Sequence, residues 1–278
     1  MTRASLALAL SAASALAACN GGHSDPSRNL GGDRPVTLQV PPQLEDGRRY
    51  PLVLILHGYG ANGFVQQAYF GLGALSTRGD AFVLAPDGTV DAGGKQFWNA
   101  DSVCCDFGGL APDDVGYLGG LVDDALADWP IDPDAVFAIG HSNGGFMSYR
   151  LACERADLFA GILALAGNAV SIPCEPERAV NILHVHGTAD DVIPFAGATP
   201  SVAEWAAHDG CGTARTPGPD LDLDTGVLGA ETRTAATAGC PAGVAVDLWT
   251  VEGGTHIPAF GGAFSTEAWR WLTDHRRR

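Results

Sequence analysis

A serine lies between spaced glycines in Gly140-His141-Ser142-Asn143-Gly144, after an aliphatic run from Ala135 to Ile139 and before a segment of helical spacing from Phe146. A strand that turns this sharply into a helix brings the residues two before and two after the serine into near contact. Only glycine-sized side chains fit there, which accounts for Gly140 and Gly144. Such a turn lifts Ser142 above the edge of a sheet and aims the Asn143 amide, with the helix N-terminus behind it, at negative charge forming on a substrate carbonyl. A serine hydroxyl becomes a useful nucleophile only beside a base, and the base needs an orienting carboxylate. Two later apolar runs end in suitable groups: Val180 to Val185 leads into His186-Gly187-Thr188-Ala189-Asp190-Asp191, and Val244 to Val251 leads into Glu252-Gly253-Gly254-Thr255-His256. Ser142, Asp190 and His256 are therefore the expected nucleophile, acid and base, with Asp191 the rival acid. The segment Leu56-His57-Gly58-Tyr59-Gly60 follows another apolar run and offers the Tyr59 amide as a second oxyanion donor beside Asn143. This set performs acyl transfer through a serine ester and calls for no metal and no organic cofactor.

Other polar clusters carry competing readings. His184 and His186 alternate about Val185 and so share one face of a strand; they are a metal pair or, lacking a third ligand at suitable spacing, hydrogen-bonded core residues. His208 and His275 fall on predicted helices as surface residues. Asp220, Asp222, Asp224 and Glu231 occupy positions one, three, five and twelve of a calcium loop, but the glycine, Gly226, stands at seven instead of six. The reading preferred for this stretch is a solvated acidic loop.

The elements that must position these groups alternate along the chain. Strands are expected at Val36 to Val40, Leu52 to Leu56, Ala81 to Ala85, Ala135 to Ile139, Gly161 to Ala166, Val180 to Val185 and Val244 to Val251. Uninterrupted aliphatic runs suit strands buried on both faces. Helical spacing covers Asp114 to Trp129, the segment through Cys153, and Ser265 to His275 with Ser265 as N-cap. The pattern predicts an α/β fold: a mainly parallel central sheet with helices on both faces. There is no internal repeat, and Thr213 to Ala230 reads as a long surface loop.

The 278 residues are 46% apolar, enough for a full core, and carry a formal charge of −16 from 32 acidic and 16 basic residues. Such a surface repels phosphate backbones and excludes nucleic acid as a partner. Arg3 precedes an apolar run from Leu6 to Ala18 that is too short to span a bilayer and suits a signal peptide. The run ends in Leu16-Ala17-Ala18-Cys19, which resembles the lipobox of bacterial lipoproteins; an ordinary cleavage after Ala17 is the alternative. Removing Cys19 to a lipid leaves six of seven cysteines, an even number suited to an oxidising compartment. The expected organisation is a signal peptide over 1–18, a flexible tether over 19–34 and a single catalytic domain over 35–278, held to the cell envelope only through the lipid.

Several motifs then recur in order: Leu56-His57-Gly58, Ala85-Pro86-Asp87-Gly88-Thr89, Phe97-Trp98-Asn99-Ala100, Cys104-Cys105, Asp113-Asp114-Val115-Gly116-Tyr117-Leu118, the serine motif and His186-Gly187-Thr188-Ala189-Asp190. The set resembles the polyhydroxybutyrate depolymerase-like and feruloyl esterase-like secreted esterases of the α/β-hydrolase fold, related to carbohydrate esterase family one. The resemblance runs from about Pro35 to Trp271 and implies the triad Ser142, Asp190 and His256. Many members carry Gly-His-Thr-Trp-Pro at the histidine, where this chain has Thr255-His256-Ile257-Pro258, so aromatic-ester specificity does not transfer directly. The resemblance also makes sense of the cysteines as bridges Cys153–Cys174, Cys211–Cys240 and Cys104–Cys105. Trp98 and Phe260 are candidate apolar contacts for substrate. The substrates that follow are hydroxyalkanoate polyester oligomers or, as the alternative, acylated plant cell-wall polysaccharide. An acyltransferase and a non-catalytic surface binding protein are the remaining rivals.

Overall fold

The computed structural model describes residues 28–277. The expected leader, Cys19 and the first part of the tether lie outside these residues. The principal sheet has eight strands: β1 (Tyr50–Leu56), β2 (Phe82–Leu84), β3 (Ile131–His141), β4 (Gly161–Leu165), β5 (Asn181–Gly187), β6 (Arg215–Pro217), β7 (Thr232–Thr237) and β8 (Val246–Val251). Their order across the sheet is β6-β7-β8-β5-β4-β3-β1-β2. The six strands from β8 to β2 pair in parallel, and β7 and β6 extend that edge antiparallel. Six helices accompany them: α1 (Gly63–Phe70), α2 (Ala74–Thr77), α3 (Asp114–Asp128), α4 (Asn143–Glu154), α5 (Ala198–His208) and α6 (Gly262–Asp274).

Every residue of β1, β4 and β5 is buried, as the unbroken aliphatic runs require. Alternate residues of β1 enter different cores. Leu52, Leu54 and Leu56 pack with residues of α3, α4 and α5, among them Leu118, Met147 and Trp205. Val53 and Ile55 pack with Phe70 of α1, Leu75 of α2 and Phe264 and Trp271 of α6. The chain leaves β1 outward to β2 and returns on its other side to β3, so connections diverge between β1 and β3. The carboxyl ends of those two strands form the crevice where ligands bind in sheets of this kind.

Four expectations are corrected. Val36 to Val40 is not a strand of the main sheet: only Val36–Thr37 pairs, with Asn29–Leu30, and Gln39 bridges Val83 at the sheet edge. Residues 29–34 are therefore folded rather than part of a tether. Leu30 is buried, and Arg34 meets the fully buried Asp114 carboxylate at 2.7 Å with its guanidinium over the Tyr117 ring. The expected loop over 213–230 contains β6, whose pairing with β7 satisfies backbone groups that a free loop would leave to water. Helix α6 starts at Gly262 instead of Ser265, whose hydroxyl donates to the Gly262 carbonyl.

Candidate active site

Ser142 joins β3 to α4 with φ 54° and ψ −118°, a conformation that costs a non-glycine residue roughly 1–3 kcal/mol. Its surroundings hold it there: the Ser142 N–H donates to Leu165 O at 2.8 Å, and the Phe146 N–H donates to Ser142 O at 3.0 Å. A Cβ on Gly140 would stand 2.0 Å from Gly144 O, and one on Gly144 2.2 Å from Leu56 O. The glycines of the motif are thus fixed by contact with backbone.

A Cβ on Gly58 would lie 3.4 Å from the Cβ of Ser142, so the loop after β1 rests against this turn. Among the described residues, no hydrogen bond uses the backbone N–H of Tyr59 or Asn143. The loop is set by His57, whose Nε2 accepts the Gly88 N–H at 2.9 Å while Nδ1 donates to Gly58 O at 2.8 Å. Burial lowers the pKa of His57 and keeps this ring neutral. The Asn143 side chain turns inward: Oδ1 accepts the Trp98 N–H at 2.7 Å and Nδ2 donates to Trp98 O at 2.9 Å. Trp98 in turn donates from Nε1 to His57 O at 3.0 Å. It thereby ties the loop after β1 to the start of α4.

Beyond β5, the Asp190 carboxylate is fully buried. Oδ1 accepts the N–H groups of Val192 and Ile193, both at 2.9 Å, and Oδ2 accepts His256 Nδ1–H at 2.8 Å. Burial alone would raise the Asp190 pKa; the hydrogen bonds from His256, Ile193 and Val192 outweigh it and hold the carboxyl below its ordinary value. Asp191 is exposed and makes no such contact, so Asp190 is the acid the structure joins to His256. The His256 ring sits 4.8 Å from that of His141, the residue preceding Ser142. No hydrogen bond joins Ser142 to His256 among the described residues, a looseness common in unliganded sites of this type.

The loop that carries His256 is latched on four sides. Ala189 N–H donates to Gly254 O at 2.9 Å. His141 Nε2–H donates to His256 O, and Tyr69 O–H donates to Pro258 O at 2.9 Å. Asp224 Oδ1 accepts the Ala259 N–H at 3.0 Å, and Thr225 N–H donates to Ala259 O at 2.9 Å. Burial drives the His141 pKa down to about 4, so it remains a neutral donor across ordinary pH.

A family model described as Phospholipase/Carboxylesterase matches residues 110–204. The probable feruloyl esterase C of Aspergillus flavus is 30% identical over 202 residues, spanning 70% of this chain and 69% of that protein. The chain belongs to the α/β-hydrolase esterases. NocK of Nocardia uniformis subsp. tsuyamanensis, whose given name assigns it to the esterases, is 34% identical over 171 residues, 60% of this chain. The chain spans only 47% of NocK and 66% of the probable feruloyl esterase C of Aspergillus niger. In fold it is similar to an acetyl xylan esterase from Aspergillus awamori, with a TM-score of 0.62 at 15% identity over 86% of this chain and 93% of that one.

Within this member of the family, the structure corrects some expected roles. Trp98 is 0% exposed and braces the two turns from behind, so it is not a substrate contact. Phe260 is half-buried, stacked 3.9 Å from Phe264 and 5.8 Å from Tyr69. The acidic loop is solvated at Asp220 and Asp222 but not at Asp224 and Glu231, which are buried, and Glu231 Oε1 accepts from Leu223 N–H, Asp224 N–H and the Thr232 hydroxyl. Cysteines bridge as Cys104–Cys105, Cys153–Cys174 and Cys211–Cys240. The first lies by the site, with Asn143 Nδ2 3.6 Å from Cys104 Sγ. His184 and His186 do share a face, with Nε2 of the former 3.1 Å from Nδ1 of the latter. Sequence reasoning did not assign roles to His141, Tyr69 or Tyr149, although His141 stood inside the serine motif.

Proposed function

We propose that this chain is a carboxylic ester hydrolase working through an acyl-enzyme on Ser142. The observation that carries the reading is the 2.8 Å Asp190–His256 hydrogen bond, set beside the strained turn that bears the serine. With Nδ1–H committed to Asp190, Nε2 of His256 is the free base. It takes the Ser142 proton as Oγ attacks the ester carbonyl, and the amides of Tyr59 and Asn143 receive the oxyanion, each donor contributing about 3 kcal/mol. Collapse expels the alcohol with the proton from His256, and water repeats the sequence to release the acid. Hydrolysis of p-nitrophenyl acetate and butyrate tests this beside Ser142→Ala. The mutant rate should drop by on the order of 10⁴-fold or more; an unaffected mutant would refute the assignment.

The Aspergillus relatives named as feruloyl esterases support an aromatic acyl ester of cell-wall polysaccharide as substrate. A hydroxyalkanoate polyester oligomer is the second reading. Exposed Ile257, directly after His256 in a loop that lacks the tryptophan of the motif, favours it by presenting an aliphatic side chain there. Methyl ferulate and hydroxybutyrate oligomers assayed side by side decide between them. Three bridges suit an oxidising compartment, in keeping with export through residues 1–18 and lipid attachment at Cys19. The described residues act as one catalytic unit in this proposal.

A further inference from the structure

Behind the Asp190 carboxylate runs a buried chain of hydrogen bonds. His186 Nε2 lies 2.8 Å from Ile193 O and 3.2 Å from Asp190 Oδ2. Both neighbours are acceptors, so this nitrogen carries the proton. In a neutral ring Nδ1 must then accept, and it does so from His184 Nε2 at 3.1 Å. His184 Nδ1 is consequently an acceptor as well, and receives the Tyr149 hydroxyl at 2.8 Å. Every proton in the row is fixed by the two acceptors at its end. The whole row points its positive end at the turn holding Asp190.

We propose that His186, oriented by His184 and Tyr149, is a positioning residue that anchors the Asp190 carboxylate against His256. It works through two contacts. Its N–H grips the carbonyl of Ile193, whose own N–H holds Asp190 Oδ1, and the same N–H faces Oδ2 beside the His256 proton. The row joins α4, which begins at the serine turn, to β5, which ends at the acid, so it fixes the two relative to each other. Burial disfavours protonation of both histidines; at His186 it outweighs the Ile193 carbonyl and the Asp190 carboxylate, which favour the charged ring. Arg215 of β6 opposes a charge on His184, and Glu204 of α5 opposes ionisation of Tyr149. His184, Asp190, His256 and His141 are the titratable groups around His186. The Phe195 ring edge covers its remaining side at 5.7 Å.

The inference rests on the acyl-enzyme reading, and its first test does not need activity. Nitrogen-15 shifts of the histidines in the wild-type protein should show His184 and His186 as neutral Nε2–H tautomers from pH 5 to 9. A proton on Nδ1 of His186, or titration of either ring in that range, would overturn the proposal. The second test is the pH profile of kcat/KM on p-nitrophenyl butyrate. With the donor removed in His186→Phe, Asp190 is more basic and the acidic limb should move up by about half to one pH unit, with kcat down about tenfold and KM little changed. His186→Gln returns an amide N–H near the same place and should bring the limb back. A folded His186→Phe protein with the wild-type limb would sink the idea, whereas failure of the parent reading would appear separately as activity surviving in Ser142→Ala.

Discussion

Asp209 caps the C-terminal end of α5 with its carboxyl group buried and neither oxygen in a well-formed hydrogen bond. Burial raises its pKa to about 7, and the negative end of the helix opposes ionisation further. An acid whose folded pKa lies above its unfolded value of 3.8 costs stability as pH rises between the two values. Asp209→Asn should therefore raise the melting temperature by roughly several degrees above pH 7 and leave it nearly unchanged near pH 4. Thermal melts of both proteins at the two pH values check this. At this scale the sequence was most legible where spacing alone fixed a role. Ser142, Asp190 and His256 each end an apolar run, and a strand end is where a side chain can act. Trp98 was misjudged because its motif marks a position beside the site without saying which way the ring turns. Packing against His57 decided that, and packing is not local in sequence.

The loops differ from the strands in how much of them could be foreseen. Strands β1, β3, β4, β5 and β8 announce themselves as aliphatic runs. Strand β7 (Thr-Arg-Thr-Ala-Ala-Thr) has no such run and β6, the edge strand beside it, contains a proline; in both, pairing rather than burial makes the strand. Helix α1 is short and mixed, and starts only because Asn62 accepts the Val65 N–H at 2.9 Å. The acidic loop shows the cost of reading carboxylates as solvent-facing. Asp224 Oδ1 serves Gly226 N–H and Ala259 N–H, so it orders the histidine loop through direct hydrogen bonds. Asp224→Ala should leave two N–H groups without that acceptor, destabilising the loop by about 1–3 kcal/mol and lowering kcat more than it changes KM. Chelation of the wild type should change neither melting nor rate; a response to chelator would mean that these carboxylates serve a metal instead.

Across the molecule, the exposed large hydrophobic side chains of the described residues are unevenly placed. Apart from Leu44 and Leu228, they belong to segments that leave the carboxyl ends of parallel strands: Tyr59, Phe64 and Val65 after β1, Val90, Val103, Phe107 and Leu110 after β2, Val192 after β5 and Ile257 after β8. Tyr59 and Phe107 touch edge to face at 5.3 Å. The proposed site is thus rimmed with apolar groups on a molecule whose net charge is −16, which suits an uncharged, apolar ester. Phe107→Ser and Ile257→Ser should slow hydrolysis of emulsified or polymeric ester by about tenfold while p-nitrophenyl acetate turns over as before, since each loses on the order of 1–2 kcal/mol of apolar contact. Equal losses on both substrates would count against the rim. The parallel sheet and its helices were legible as a class from alternation, but this one-sided exposure was not, because it belongs to the surface that folding leaves over.

The hairpin of β6 and β7 is also a closed ring, sealed at its base by Cys211–Cys240 and bearing at its tip Leu228, which is 100% exposed. A protease that severs the backbone at that tip does not release a fragment. The two pieces stay covalently one molecule and β8 stays seated beside β5, so damage at this exposed peptide remains silent until a reductant opens the ring.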